Sequence, residues 1–363
     1  MSRVITCEHF FDGEILHGST QLTLDDSGTL TGVEEISGPV DYFCVSPGFV
    51  DIQMNGFGLF NVAESSIEEL QVLGNSLAEL GTTSWLGTIV TASLPVLTDT
   101  VSRLLQAFET RDIVGFVGVH IEGPFLGKSP GAHRVRDIVA TDLEWINALP
   151  SMVRLVTIAP EQVGALQGIQ NLCASGRVVS LGHSQPSDAE YAEAIAAGAS
   201  LVTHLFNGMS GVHHREGGLA LHALVDDRVS VSLIADLVHV RPEIISLVFR
   251  SKRRGNVCLV SDSVGWESPS AMRNGVTATD AVRLPNGTLA GASTPLAECV
   301  RNVVRTCDVS LESALTAATS TPADILQNGE IGRIAIGRRN DMIALNSSLT
   351  VVNTWLRLPS VGA

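Results

Sequence analysis

The chain has 363 residues, 45% of them hydrophobic, and a formal charge of −15, with a mean hydropathy of +0.26; it can bury one large core or two smaller ones. That charge argues against nucleic acid and anionic membranes as partners, because both repel an acidic surface. No apolar run reaches the ~18 residues of a membrane span, and the start, Met1 to Glu14, carries Glu8, Asp12 and Glu14 where a secretory leader needs an apolar stretch.

In chain order, residues 1–44 alternate β-type runs with turn signals at Asp12-Gly13 and Asp25-Asp26-Ser27-Gly28. Eight short apolar runs follow: Val45 to Gln53, Thr83 to Val90, Val114 to Glu122, Leu155 to Glu161, Val178 to His183, Leu201 to Phe206, Val229 to Asp236 and Val257 to Asp262. They are rich in Val and Ile and read as apolar throughout, as strands buried on both faces do. Amphipathic stretches such as Ile67 to Leu80 and Asp188 to Ala197 separate them. This alternation predicts an α/β fold, a (β/α)8 TIM barrel over residues 46–330. An open doubly wound sheet is the alternative, but no GxGxxG follows the first run. The tail turns β-like again from Gly332, through Gly337 and the run Asp341 to Leu345. Residues 1–45 and 331–363 are therefore expected to build a small β domain together, with the barrel inserted between them. Cys7, Cys44, Cys173, Cys258, Cys299 and Cys307 form no CxxC, which fits buried thiols in a reducing cytoplasm better than a disulfide framework.

Catalytic side chains of such a barrel stand at the C-terminal ends of its strands. Those positions hold Gln53, Glu122, Glu161, His183, His204, Asp236 and Asp262. A carboxylate or imidazole buried among apolar neighbours costs several kcal/mol unless it is paired or bound to metal. A lone His there reads as a satisfied core histidine; two His, one Glu and one Asp together do not. Glu122, His183 and His204 supply one oxygen and two imidazoles, a set that suits Zn²⁺ with an open position for water. Asp262 closes the last run and can take a proton from a cation-activated water and pass it to a leaving amine. Glu161 and Asp236 can either brace a ligand or cap the helix that follows.

The motifs Pro47-Gly48-Phe49-Val50-Asp51, His120-Ile121-Glu122-Gly123-Pro124-Phe125, Gly182-His183-Ser184, Thr203-His204-Leu205-Phe206-Asn207 and His213-His214-Arg215-Glu216-Gly217 occur in that order. So do Ile234-Ala235-Asp236 before His239, Ser261-Asp262 and Gly287-Thr288-Leu289-Ala290-Gly291. Together, from about Ser46 to Leu326, the chain resembles the N-acetylglucosamine-6-phosphate deacetylases of the amidohydrolase superfamily. The resemblance implies a TIM barrel with a small β-sandwich and a homodimer with active sites near its interface. It implies hydrolysis of an acetamido group to acetate and glucosamine 6-phosphate. It assigns the metal to Glu122, His183 and His204, the acid/base role to Asp262, and contact with the amide carbonyl to His133.

Many amidohydrolases carry His-x-His after the first strand, for a second metal; Gln53-Met54-Asn55 stands there instead. An amide is a poor ligand, so Gln53 occupies the second-metal position as a non-ligand. One divalent cation per subunit is expected, Zn²⁺ first, with Fe²⁺, Mn²⁺ or Co²⁺ as alternatives. An acidic protein that binds a sugar phosphate needs local donors for it. Arg215 can grip phosphate bidentately, and His214, His239, Asn207 and Gly208 are further candidates, some of them reaching the partner subunit's site. Two stretches depart from the family pattern: Val264 to Thr279 is short and polar, and Ser293-Thr294-Pro295 replaces more apolar residues. The functional alternatives are a deacetylase for the galactosamine epimer, another single-metal amidohydrolase and, in a different class, a catalytically inactive binding protein.

Overall fold

The computed structural model describes residues 3–357. Strands from the two ends of the chain share one seven-stranded sheet. Its order is Val351–Trp355, Met342–Leu345, Tyr42–Pro47, Arg3–Phe11, Thr20–Leu24 and Leu30–Glu35, with Leu16–His17 also on Arg3–Phe11. The reversals between strands fall on the Asp-rich turns. Asp12 Oδ1 accepts from the N–H groups of Glu14 and Ile15, and Asp25 Oδ1 accepts from those of Ser27 and Thr29. These side-chain bonds fix the chain reversal locally.

The eight apolar runs are eight parallel strands, joined in sequence order: Phe49–Met54, Thr82–Val90, Phe116–Glu122, Val153–Ile158, Val178–Leu181, Leu201–Val202, Ser230–Ile234 and Val257–Val260. The last strand returns to the first. The Asp262 N–H donates to the Gln53 carbonyl at 3.0 Å and the Asn55 N–H to the Ser263 carbonyl at 2.8 Å, which closes the barrel. Helices cover its outside, and the expected segments appear as Ile67–Glu79 and Asp188–Ala196. Both begin with a capping box: Ser66 with Glu69, and Ser187 with Glu190. Outward-facing Val119, Ile121, Val179, Leu181, Leu233 and Leu259 pack in the core shared with the helices. No helix among the described residues is long and apolar enough to cross a membrane.

Two features differ from the sequence reading. The runs Val178 to His183 and Leu201 to Phe206 were expected to be strand throughout, yet pairing stops at Leu181 and Val202. The backbone turns left-handed at His183 (φ 50°), His204 (φ 30°) and Asp262 (φ 47°). Such a conformation costs about 1 kcal/mol or more for a residue with a side chain, and it re-aims that side chain. Nor is the barrel interior apolar throughout. Thr88, His120, Thr157, Ser180 and Thr203 are buried inside it, and a chain of hydrogen bonds joins them. His120 Nδ1 lies 3.3 Å from Thr88 Oγ1 and its Nε2 2.8 Å from Thr157 Oγ1, while Thr203 Oγ1 lies 2.9 Å from Thr157 Oγ1. Burial pushes His120 down to about 4, so it is neutral in this belt.

Asp51, on the first strand, is fully buried. Its Oδ1 accepts from the Gln53 N–H at 3.1 Å, and its Oδ2 has no hydrogen-bond partner among the described residues. Burial lifts it to about 6, partly offset by a hydrogen bond with Ser261. An acid raised in this way holds its proton more tightly folded than unfolded. The stability it contributes is present at low pH and is lost as pH rises through about 6. Across that rise the unfolding free energy of Asp51→Asn should gain on the parent by up to about 3 kcal/mol. Urea unfolding at pH 4 and pH 7 measures this, and a difference that does not change with pH contradicts it.

Candidate active site

At the C-terminal mouth of the barrel, Glu122 is the last residue of the third strand. His183, His204 and Asp262 each stand two residues beyond the end of the fifth, sixth and eighth strands. Glu122 Oε1 lies 2.9 Å from His204 Nε2 and 3.2 Å from His183 Nε2, and the two imidazole nitrogens are 3.1 Å apart. His133, from the loop after the third strand, places its Nε2 3.1 Å from His183 Nε2 and 3.9 Å from Glu122 Oε2. All four side chains are nearly inaccessible to solvent. Burial alone would raise Glu122, but the His183 and His204 imidazoles against it hold it well below the usual carboxylate range.

These separations fit a cation. His183 Nδ1 faces the Ser129 carbonyl oxygen at 3.1 Å, and a carbonyl only accepts, so the ring proton sits on Nδ1. His183 Nε2 is then a bare lone pair, directed at a carboxylate oxygen and two further imidazole nitrogens. Hydrogen bonding leaves that convergence unsatisfied, and a divalent ion relieves it. Tetrahedral zinc with bonds of ~2.0–2.1 Å has ligand-to-ligand edges of about 3.3 Å, close to those found. Two trios share Glu122 and His183. Ligand atoms of Glu122, His133 and His183 lie within 4.8 Å of one another, but the triangle through His204 is tighter, with edges of 2.9, 3.1 and 3.2 Å.

Asp262 is held by the two amides of the Gln53-Met54-Asn55 stretch. Asn55 Nδ2 donates to Asp262 Oδ1 at 2.8 Å and Gln53 Nε2 to the same oxygen at 3.2 Å. Gln53 Nε2 also lies 3.1 Å from Glu122 Oε1, so it offers donor hydrogens between two carboxylates and no lone pair to a second ion. Burial, with the Glu122 charge adding to it, pushes Asp262 up to about 7. His133 Nδ1 lies 2.8 Å from Thr91 Oγ1, and burial together with His183 pushes it down to about 3, leaving a neutral ring.

The two uncertain carboxylates do not cap helices. Glu161 ties two loops together, accepting from the N–H groups of Lys128 and Gln185 and from the Ser184 hydroxyl. The next helix, Ala165–Ala174, is capped by Gly164 instead. Asp236 Oδ2 lies 2.7 Å from His239 Nδ1, which orients that ring. His239 lines a cavity of about 440 Å³ together with Glu122, His133, His183, His204 and Asp262. Asn207 and Gly208 also line it. Gly208 has φ 57°, and a Cβ there would lie 2.6 Å from His183 Nδ1, so the position admits only glycine without a shift of that ring.

His214 and Arg215, expected at the phosphate end, do not line this cavity; they stand on an exposed loop of the same chain. A cationic side chain absent from the expected set does line it: Arg283, on the hairpin after the eighth strand. The sequence marker was there, an Arg in a β-type run just before Asn286-Gly287, but nothing local reveals that this run folds back over the barrel.

The amidohydrolase family model matches residues 44–357. The chain belongs to the amidohydrolase family. It is 33% identical, over 85% of its length and 81% of the relative's, to an N-acetylgalactosamine-6-phosphate deacetylase of Shewanella sp. (strain ANA-3). It is 30% identical to an N-acetylglucosamine-6-phosphate deacetylase of Vibrio furnissii, over 94% and 92% of the two chains. Among solved structures it is similar to the N-acetyl-D-glucosamine-6-phosphate deacetylase of Mycobacterium smegmatis in complex with N-acetyl-D-glucosamine-6-phosphate, with a TM-score of 0.89, 27% identity and 98% of each chain covered. The (β/α)8 barrel expected from the strand pattern is the barrel found.

Proposed function

We propose that this amidohydrolase hydrolyses the acetamido group of N-acetyl-D-glucosamine 6-phosphate, giving D-glucosamine 6-phosphate and acetate. The observation that carries the reading is the convergence of Glu122, His183, His204, His133 and Asp262 on one cavity, in a chain related along nearly its whole length to sugar-phosphate deacetylases. Glu122, His183 and His204 would hold one divalent cation per subunit, Zn²⁺ by the chemistry of the donors, with Fe²⁺, Mn²⁺ or Co²⁺ as alternatives. A bound cation supplies Lewis acidity, lowering the pKa of water from about 15.7 towards ~7. Asp262 does the proton work. Both amide bonds fall on its Oδ1, leaving Oδ2 to take the proton of the attacking water and then deliver it to the departing amine. His133 donates to the acetamido oxygen as charge develops there. Asn207, the Gly208 N–H and His239 hold the sugar phosphate.

In this reading the protein is a cytoplasmic homodimer, and residues 3–45 plus 331–357 form a domain separate from the barrel, the rest of the expected segments 1–45 and 331–363 lying outside the described residues. The six cysteines are free thiols, which suits a reducing compartment. His214 and Arg215, exposed and off their own cavity, serve the partner subunit's site. The first relative above gives weight to the galactosamine epimer as a second reading, since one hydroxyl's orientation separates the two substrates. Acetate release from both sugar phosphates tests the choice, with greater kcat/KM expected for the glucosamine compound. The reverse order selects the second reading, and no acetate from either overturns both.

A further inference from the structure

His183 needs outside support in two respects. Its backbone is left-handed (φ 50°), a conformation that persists only where the surroundings over-determine it. Its ring also has to keep Nδ1 against the Ser129 carbonyl, 3.1 Å away, for Nε2 to present a lone pair to a cation. Strand pairing secures neither, since it ends at Leu181. The Ser129 carbonyl itself stands on a loop, so its place has to be fixed as well.

Glu161 reaches both segments. It stands three residues beyond the strand Val153–Ile158. On the Ser129 side, its Oε1 accepts from the Lys128 N–H at 3.3 Å. That oxygen packs so closely on Gly127 that a Cβ there would fall 1.9 Å from it, so the approach requires glycine. On the His183 side, Oε1 accepts from the Gln185 N–H at 2.8 Å and Oε2 accepts from the hydroxyl of Ser184, the residue next to His183.

Two further bonds cross the same seam. The Gly127 N–H donates to the His183 carbonyl at 2.9 Å, and Gln185 Nε2 donates to Ser129 Oγ at 2.7 Å. Both depend on the two segments being held side by side. An ionised carboxylate accepts only, at about four lone-pair sites, so it can take donors from both segments at once. Its hydrogen bonds are roughly twice as strong as neutral ones. Glu161 is half-buried and does not line the cavity, so whatever it does for the site it does through these neighbours.

We propose that Glu161 is a positioning residue for the cation site: it locks the Ser129 loop to the Ser184–Gln185 segment and so fixes the backbone and ring of His183. The proposal rests on the single-cation reading above. The competing role is a brace that serves the stability of the fold alone, and cation affinity measured beside stability separates the two.

The test uses the full-length protein, stripped of metal and titrated with Zn²⁺ against a competing chelator, with urea unfolding of the cation-free form measured in parallel. Glu161→Ala should weaken Zn²⁺ binding about 10–100-fold, as loss of a ligand's outer partners does, while the cation-free unfolding midpoint stays close to the parent's. Glu161→Gln should fall between the two, because its amide oxygen still accepts from Lys128 and Gln185. Ser184→Ala removes one arm and should cost about 3–10-fold, the worth of one hydrogen bond. Zn²⁺ affinity within about two-fold of the parent in Glu161→Ala overturns the proposal. So does a loss of affinity that comes with a lowered cation-free midpoint and no recovery in Glu161→Gln. If Glu161→Ala does not fold, Glu161→Gln and Ser184→Ala decide by the same two measurements. A parent protein that binds no Zn²⁺ overturns the cation reading itself, and that outcome is visible before any variant is made.

Discussion

Asp262→Asn should keep its cation and lose acetate release by about 10²–10⁴-fold, the usual contribution of a positioned acid/base. The substitution is close to isosteric, and the oxygen that accepts from Asn55 and Gln53 survives it. The side chain should therefore stay in place. It loses the ability to take a proton from water and return it to an amine, because an amide does neither near neutral pH. Elemental analysis beside an acetate assay reads both parts. Near-parental turnover would remove Asp262 from the mechanism. Loss of the cation along with activity would make it a ligand, and the role of base would pass elsewhere. The left-handed backbone at Asp262 (φ 47°) is consistent with a residue placed for chemistry rather than for strand pairing.

The barrel was legible because each strand is a short Val/Ile-rich run between helices with clear caps, as at Ser66 and Ser187. The polar residue ending each run was legible for the same reason: against an apolar background it stands out. What was hidden depends on pleat and on long-range folding. Thr88, Thr157 and Ser180 looked incidental within apolar runs, yet their inward parity makes them the hydrogen-bonded belt beneath the cluster. The early end of strand pairing before His183 and His204 lies in backbone angles that composition does not encode. Glu161 could brace or cap when read alone. It braces because the loop carrying Ser184 and Gln185 comes to it, from residues more than twenty positions away. Likewise the motif around Arg215 drew the phosphate there, while the cation that reaches the cavity of its own chain is Arg283.

The third ligand of the proposed cation site is tested by an expected split between two histidine variants. His204→Asn should lose the cation, with affinity falling by more than the roughly 10–100-fold typical of disturbing a ligand's outer partners. His133→Asn should keep it and lose about 10²–10³-fold in kcat, as removal of one oxyanion donor does. The geometry favours this order. His204 Nε2 is within 3.1 Å of both Glu122 Oε1 and His183 Nε2, whereas His133 Nε2 is 3.9 Å from Glu122 Oε2. His133 is also anchored on its far side by Thr91, which fixes its Nε2 as a group facing substrate. Metal lost from His133→Asn and retained by His204→Asn would reverse the roles of the two rings. The parent protein should bind about one equivalent per chain. Two would contradict the reading of Gln53, whose amide nitrogen already donates toward Glu122 and Asp262 and so presents hydrogens where a second cation would need lone pairs.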